Sequence, residues 1–195
     1  MARPRGDSGT LSPRDRLAAA FWRQLGAMPF SEMTARGIAS EAGVNHNTFY
    51  RHFDSIEDMA EKLFDDSVFD ALPAALLDAE DADGRVAAVM ASSIGPSDMS
   101  KASLYAQSGS DLLVRLVRNA LERAWLKAAG LDEDTLDADQ RADLSIIFGG
   151  IVTAMADQRV EPSPAIFAGV MSRPLGRGMV DTLAEMRQAA HGSGR

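Results

Sequence analysis

The sequence predicts an all-α fold, with a small N-terminal three-helix unit followed by a larger helical region. Apolar residues recur at the three- and four-residue spacing of amphipathic helices along nearly all of the 195 residues. No stretch alternates apolar and polar residues as a half-buried strand does, and no internal repeat is present. Glycine and proline fall between the periodic stretches, where they end one helix or begin the next.

The first helix is predicted to begin after Ser12, which is a favourable N-cap, and to end at Gly26. Pro13 suits the first helical position. The side chains that share the apolar face of this helix are Leu17, Phe21 and Leu25. Residues 1–11 precede it as a polar tail. Its arginines are either simply solvated or form an arm that reaches a nucleic acid, and these are Arg3 and Arg5.

The second and third helices are predicted over residues 34–42 and 45–53, with Gly43 at the break between them. The third helix carries many polar side chains for so short an element: Asn45, His46, Asn47, Thr48, Tyr50, Arg51 and His52. Each of them can hydrogen-bond to a base edge or a phosphate. The side chains expected to face inward are Val44, Phe49 and Phe53. A helix, a short turn and a polar helix form the arrangement that places side chains in the major groove of DNA.

The stretch TARGIASEAGVNHNTFYRHFDSIE, residues 34–57, resembles the DNA-binding signature of the tetracycline-repressor (TetR) family. The resemblance is ungapped and is confined to the N-terminal part of the chain. It implies a DNA-binding transcriptional regulator, a ligand-responsive repressor that binds a palindromic operator as a homodimer. It also implies a C-terminal helical domain for ligand binding and dimerisation, in which the last two helices form the dimer and the middle helices hold a small effector.

The resemblance also implies which residues contact the operator. The residues nominated for base edges are Asn45, His46 and Asn47, although Asn45 also suits the N-cap of the third helix. Arg36 matches a position that reaches bases or phosphates. The residues nominated for phosphates are Thr48, Tyr50 and His52, with Tyr50 alternatively at the edge of the core, and Arg51 is included among the DNA-binding residues.

Three positions depart from the family pattern. Asn47 stands where a small residue is usual, and Ile56 stands where a lysine often contacts a phosphate. Gly37 replaces an acidic residue inside the second helix, where glycine costs about 1 kcal/mol relative to alanine. The sequence gives no physical reason for this glycine, unless it permits a close approach to DNA or to the first helix.

Further helices follow from the same patterns. A fourth is predicted from Ser55 to about Ala71, where Pro73 ends or kinks it. Those that follow are predicted over residues 85–94, 98–107, 111–129, 138–158, 164–172 and 174–190. The predicted domains are a DNA-binding domain over 12–54 and an effector-binding and dimerisation domain over 55–190, with flexible tails at 1–11 and 191–195.

The helix over residues 138–158 is the most apolar and has two apolar or small faces, so it needs two neighbours. The residue pattern alone allows either a central helix within one chain or a helix shared between two subunits. The resemblance favours a dimer. The residues nominated for its interface are Ile146, Gly149, Gly150, Thr153, Ala154, Met179, Leu183 and Met186.

A small apolar or aromatic effector is expected among the middle helices. The candidate pocket residues are Met90, Leu104, Tyr105, Leu112, Trp125, Phe148 and Met155. Each of them would equally suit a plain hydrophobic core. The ten methionines of the chain are compatible with an adaptable pocket.

The net charge of −8 is distributed unevenly. Residues 1–53 carry seven Arg and Lys against four Asp and Glu, whereas residues 54–195 carry thirteen against twenty-four. A basic end and an acidic remainder would orient the chain on a polyanion. The absence of cysteine excludes disulfides, and no apolar run is long enough to cross a membrane, so we expect a cytoplasmic protein.

No catalytic or cofactor site is predicted. His46 and His52 are six residues apart, whereas ligands on one helical face are three or four apart, so they cannot chelate one metal together. His191 lies in the tail, and no nucleophile elbow or phosphate-binding glycine loop is present. The alternative to a regulator is therefore an all-helical ligand-binding or adaptor protein whose helix-turn-helix has lost specific DNA binding.

Overall fold

The computed structural model describes residues 11–92, 95–157, 159 and 163–192. The described residues form eleven α-helices and no strand, which confirms the all-α prediction. The helices are α1 Pro13–Leu25, α2 Ala35–Glu41, α3 His46–Tyr50, α4 Ile56–Leu63, α5 Ala71–Leu77, α6 Ala82–Ala91, α7 Pro96–Gln107, α8 Asp111–Ala129, α9 Ala138–Ala156, α10 Pro164–Met171 and α11 Pro174–Gly192. Short 3₁₀ helices cover Phe30–Glu32, Asp66–Phe69 and Glu133–Thr135. The proposed arm residues Arg3 and Arg5, and the predicted break at Pro162, lie outside the described residues.

The chain divides into two compact units, Met1–Leu63 and Phe64–Arg195. The first unit thus includes α4, which the sequence pattern grouped with the second domain. None of the described helices is long and apolar enough to cross a membrane.

The core of the first unit is built from one face of each of its helices. On α1, Leu17 and Phe21 are fully buried. Ile38 of α2 and Phe49 of α3 are equally inaccessible, and Met59 of α4 completes the cluster. Burying a large apolar side chain stabilises a fold by about 1.5–3 kcal/mol. These five side chains therefore hold three short helices that could not persist alone in water.

The fourth helix ends at Leu63. The apolar spacing had predicted that it would run on to about Ala71, and that prediction was wrong. The carboxylate of Asp65 accepts hydrogen bonds from both the backbone N–H and the hydroxyl of Ser67, and a 3₁₀ turn begins there. Short polar side chains compete with the helix for backbone donors in this way. Pro73 does not end a helix but lies in the first turn of α5, where its missing N–H has no helical partner to lose.

The core of the second unit surrounds α9. Leu144, Phe148 and Val152 on one face of α9 are buried, as predicted from the sequence. The same core receives side chains from five other helices, including Leu76 of α5, Val89 of α6, Trp125 of α8, Met171 of α10 and Leu183 of α11.

Two polar or steric details fix the corner between α10 and α11. The buried Arg85 of α6 donates from Nε to the carbonyl of Met171, at 3.0 Å, at the C-terminal end of α10. A Cβ at Gly176 would lie 2.5 Å from both the Met171 Cα and the Val170 carbonyl oxygen. Glycine at position 176 therefore permits the close approach of these two helices.

Candidate nucleic-acid interface and cavity

The turn between α2 and α3 is set by two caps and one glycine. The hydroxyl of Thr34 accepts from the Gly37 N–H at 3.0 Å and so begins α2. Gly43 has a φ of 63°, the left-handed region that glycine adopts without strain. Asn45 caps α3, since its Oδ1 accepts from the Asn47 N–H at 2.8 Å. With its Oδ1 engaged in this cap, Asn45 has its side-chain amide nitrogen as the remaining donor.

The surroundings of Gly37 leave limited room for a side chain. A Cβ at this position would lie 3.0 Å from the capping Thr34 Oγ1. It would also lie 3.6 Å from the Gln24 Nε2 of α1. A Cβ at position 37 would therefore crowd the hydroxyl that caps α2, whereas its distance from Gln24 is an ordinary van der Waals contact.

Helix α3 separates an inner from an outer face within a few residues. Phe49 and Phe53 are buried, whereas Asn47 is exposed and Tyr50 is 50% exposed. His46 and His52 are partly exposed. The side chains of this outer face can be reached by a ligand without disturbing the core. The helix itself spans only His46–Tyr50, shorter than predicted, and continues as a turn.

Thr48 and Arg51 act as a pair. Thr48 is only 8% exposed, and its Oγ1 accepts from the Arg51 Nη2 at 3.0 Å. This hydrogen bond holds the exposed guanidinium of Arg51 against the helix. Thr48 is therefore largely inaccessible to a ligand, whereas Arg51 is exposed. The sequence pattern did not predict that Thr48 faces inward.

The rings of His46 and Tyr50 form an edge-to-face pair, with centroids 5.0 Å apart and planes at 78°. Residues four apart on a helix meet in this way. The pair fixes the direction of the Tyr50 ring and hence the position of its hydroxyl. Arg36, in the first turn of α2, is also exposed, and the described residues provide no ion-pair partner for it.

Helix α1 is joined to α2 by hydrogen bonds to the carboxylate of Glu41, a residue that the sequence analysis did not single out. Glu41 of α2 accepts from the Arg23 Nε at 2.6 Å and from the Gln24 Nε2 at 2.9 Å. The hydrogen bond from Arg23, followed by that from Gln24, holds the pKa of Glu41 below its ordinary value of 4.5. Arg16 reaches from the same helix to the Gly43 carbonyl at 3.5 Å. These contacts join residues 17–27 positions apart, so no local pattern could have revealed them.

The start of α4 is also fixed by hydrogen bonds. The Ser55 hydroxyl accepts from the Asp58 N–H at 3.1 Å, and the Asp58 carboxylate accepts from the Asp54 N–H at 2.9 Å. Lys62, one turn along, donates to the same carboxylate at 2.8 Å. The lysine and then the Asp54 N–H hold the pKa of Asp58 below its ordinary value. Ile56, which replaces the usual lysine, lies partly exposed in this turn.

A cavity of about 720 Å³ lies within the second unit. Of the predicted pocket residues, Trp125 and Met155 line it. Tyr105 and Phe148 are fully buried in the core instead, and burial raises the pKa of Tyr105. The remaining candidates are not among the lining residues: Met90 is 60% exposed, while Leu104 and Leu112 are partly buried.

The nominated dimer residues fall into two groups. Those on the outer face of α9 are accessible, with Ile146 at 73% exposed and with Gly150, Thr153 and Ala154 also exposed. A Cβ at Gly149 or Gly150 would meet no atom within 4 Å. On α11, Leu183 and Met186 are buried in the core of their own chain, which leaves Met179, partly exposed, as the accessible candidate.

The nominated dimer residues and the residues that line the cavity overlap, which was not predicted. The four residues that belong to both sets are Ile146, Gly150, Ala154 and Met179. The apolar outer face of α9 is therefore continuous with the cavity.

In the part of the chain that the structure describes, no three His, Cys, Asp or Glu side chains are grouped as metal ligands.

Residues 17–63 match the family model described as bacterial regulatory proteins, tetR family. The match covers α1 to α4, the unit whose geometry is given above, and confirms the resemblance drawn from residues 34–57. The chain thus carries the N-terminal DNA-binding domain of tetR-family regulators. No curated protein and no solved structure matches the chain.

Proposed function

We propose that this tetR-type DNA-binding regulator is a ligand-responsive repressor, working in the cytoplasm as a homodimer on a palindromic operator. Each α3 enters one of two successive major grooves, about 34–36 Å apart. A small effector favours a conformation in which the two recognition helices no longer match that spacing, so that the operator is released by population shift.

The observation that carries the DNA-binding proposal is the division of α3 into two faces. Its apolar side, Phe49, is fully buried, so the helix cannot turn its polar side inward without losing its core contact. The outer side offers hydrogen-bond donors and acceptors at Asn47 and Tyr50 and a cation at Arg51. This combination supports insertion into a groove lined by base edges and phosphates.

We assign the individual roles from the resemblance to the family and from the position of each residue on the helix-turn-helix. His46 and Asn47, in the first turn of α3, read base edges, and Asn45 adds its remaining amide donor while capping the helix. Tyr50, Arg51, His52 and Arg36 hold phosphates. Thr48 contributes indirectly, since its hydroxyl holds Arg51.

The dimer proposal is supported by two glycines at which a side chain would meet no atom of the same chain. Gly149 and Gly150 lie inside α9, where each costs about 1 kcal/mol relative to alanine, yet a Cβ at either would meet no atom. Ile146, one turn earlier, exposes 73% of its surface. Small residues beside an exposed isoleucine support close packing against α9 of a second copy.

The effector proposal is supported by the cavity in the second unit. Its volume of about 720 Å³ lies within the range of small-molecule sites. Its lining is mostly apolar, which suits the apolar or aromatic effector expected from the sequence.

Selection of duplexes from a random pool by the full-length protein tests the DNA-binding proposal. The substitution Asn47→Asp places a negative charge on the outer face of α3, and we expect it to abolish selection by repelling phosphates. The matched control is Asn119→Asp on the exposed face of α8, which should select the same sequence as the unaltered protein. Failure of the unaltered protein to enrich any sequence would contradict the proposal.

The acidic balance of residues 54–195 and Ile56 in place of a lysine favour a second candidate function. In that case the chain is a helical ligand-binding or adaptor protein without specific DNA affinity. A dimer that binds ligand but enriches no duplex would identify it.

A further inference from the structure

The cavity in the second unit contains one hydroxyl that is left without a partner. Ser103 of α7 is 2% exposed, lines the cavity, and its Oγ makes no hydrogen bond. A buried hydroxyl without a partner costs about 1–3 kcal/mol. A serine within a helix can avoid this cost by donating to a carbonyl three or four residues earlier, as Ser108 does to Tyr105 at 2.7 Å.

The other hydroxyls along the cavity are all satisfied. Ser92 donates to the Val89 carbonyl, and Thr182 donates to the Gly178 carbonyl. Ser163 accepts from the Ile166 N–H as the cap of α10. Ser103 is thus the one lining hydroxyl in the described chain with an unused donor and acceptor, and a polar group of a bound molecule can satisfy it.

One charged side chain of the described residues lines the cavity, and it is a carboxylate. Asp143, on the exposed side of the first turns of α9, is the single ionisable residue among those described along the cavity. No salt bridge or hydrogen bond of the described residues neutralises its carboxylate. A carboxylate beside an apolar cavity attracts a cation and repels an anion.

Asp143 lies near the N-terminal end of α9, whereas the part of α7 that follows Ser103 contacts the C-terminal end of α9. The side chain of Gln107, one turn beyond Ser103, donates to the Met155 carbonyl at 3.1 Å, near the C-terminal end of α9. Asp143 precedes Met155 by twelve residues, which corresponds to about 18 Å along a helix. The wall between them is apolar, with Ile147, Ile151 and Trp125 among its side chains.

We infer that the cavity takes an elongated lipophilic amine, whose ammonium group meets Asp143 and whose far end carries a hydroxyl or similar group that hydrogen-bonds to Ser103. The inference rests on the proposed function in treating the cavity as the effector site, and it adds the chemical class of that effector. The same charge disfavours fatty acids and other amphiphilic anions.

Trp125 provides the signal for a direct test. It lines the cavity, and Trp22, in the first unit, is the other tryptophan of the chain. A full-length Trp22→Phe variant therefore reports binding through Trp125 fluorescence. Four C12 probes of equal chain length are titrated at pH 7, below the concentrations at which they form micelles: dodecylamine, 1-dodecanol, dodecanoate and 12-amino-1-dodecanol. Circular dichroism on the same samples verifies that the protein stays folded.

We expect dodecylamine to bind about fivefold more tightly than dodecanol, and dodecanoate to bind most weakly, as a partly exposed ion pair predicts. Asp143→Asn should remove the preference for the amine. Asp139→Asn, the matched control at an exposed position of α9 that does not line the cavity, should retain it. 12-Amino-1-dodecanol should bind about fivefold more tightly than dodecylamine, and Ser103→Ala should remove that gain.

Equal binding of all probes, preference for dodecanoate, or no binding at all would each overturn the inference. A hydroxyl gain that survives in Ser103→Ala would show that a group other than Ser103 binds the hydroxyl of the ligand, and would overturn that half of the inference. Duplex selection by the same Trp22→Phe protein is measured in parallel. A protein that selects DNA but ignores the amines contradicts only the effector class, whereas loss of both contradicts the proposed function as well.

Discussion

Individual side chains of α3 divide into those that hold the helix and those that remain available. Phe49 is fully buried and Thr48 nearly so, whereas Tyr50 between Phe49 and Arg51 exposes half of its surface. A substitution at an exposed position can therefore alter DNA binding without altering the stability of the fold. This separation makes single-residue predictions interpretable.

Tyr50→Phe should weaken binding to all duplexes by about threefold to tenfold, the effect of one lost hydrogen bond to a phosphate. The phenyl ring keeps the edge-to-face contact with His46, so the melting temperature should not change. His46→Ala should instead change which bases are preferred at one operator position. Fluorescence anisotropy against a panel of single-base operator variants measures both effects. Identical behaviour of the two variants would contradict the assignment of Tyr50 to phosphate and His46 to bases.

Glu41→Gln should destabilise the first unit by about 0.5–1 kcal/mol at pH 7, since the carboxylate is partly exposed. The pKa of Glu41 is lowered in the folded state, chiefly by the hydrogen bond from Arg23. The stabilisation is therefore present above the ordinary pKa of 4.5 and is lost as the pH falls through the lower, folded-state pKa. Urea unfolding of both proteins should show their difference shrinking below about pH 4.5. In the control Glu61→Gln, an exposed position of α4, the difference from wild type should be small throughout.

Whole helices were more predictable than their ends. Ser12 and Pro13 begin α1, and Gly130, with a φ of 67°, ends α8, because caps depend on a few neighbouring residues. The predicted end of α4 was wrong because the apolar spacing continues past Asp65, where a local side-chain hydrogen bond stops the helix. The burial of Thr48 was missed for a related reason: burial in so short a helix depends on neighbouring helices rather than on its own pattern.

The site was predictable to a different degree in each unit. The helix-turn-helix is a contiguous stretch, so its outer residues could be nominated from the sequence. The cavity is formed by helices α5 to α11. Which residues line it depends on how these helices pack against one another. Of seven apolar candidates the sequence could not separate Trp125, which lines the cavity, from Phe148, which lies in the core. Ser103 and Asp143 carried no sequence signal at all.

The contact between α10 and α11 gives a prediction at the scale of helices. Gly176→Ala should destabilise the protein by about 1–3 kcal/mol or more, because its Cβ would lie 2.5 Å from backbone atoms of α10, which cannot yield as a side chain can. Gly178→Ala is the matched control two residues along the same helix, where a Cβ meets nothing within 4 Å. It should leave stability unchanged or raise it by up to about 1 kcal/mol. Thermal unfolding of both variants, followed by circular dichroism, tests the pair; equal destabilisation would contradict this account of the corner.

At the scale of the whole molecule, charge is separated along the chain. The basic first 53 residues and the acidic remainder together carry −8. A polyanion attracts the basic part of the chain and repels the acidic part, so we expect the affinity for DNA to depend on a small number of phosphate contacts.

Arg36→Ala should lower the slope of log affinity against log salt by about one unit, because one phosphate contact is lost. Arg115→Ala removes the same charge from an exposed position of α8 and should leave the slope unchanged. Anisotropy titrations between 50 and 200 mM salt, roughly the range over which such contacts are measured, compare the two. An equal loss of slope in both variants would mean that overall charge, rather than a contact at Arg36, sets the affinity.

The proposed dimer is tested by the outer face of α9. Ile146→Glu places a charge where the isoleucine is 73% exposed, so the folded chain tolerates it, but an apolar interface between two copies does not. We expect sedimentation to show a monomer at concentrations where the unaltered protein is a dimer. Operator affinity should fall by orders of magnitude, because a monomer reaches only one half-site. The matched control is Met90→Glu on α6, at a methionine that is 60% exposed and not among the cavity residues, which should remain a dimer. If Ile146→Glu stays dimeric, then the glycines at 149 and 150 serve something other than a second copy, and two coupled recognition helices would need another interface.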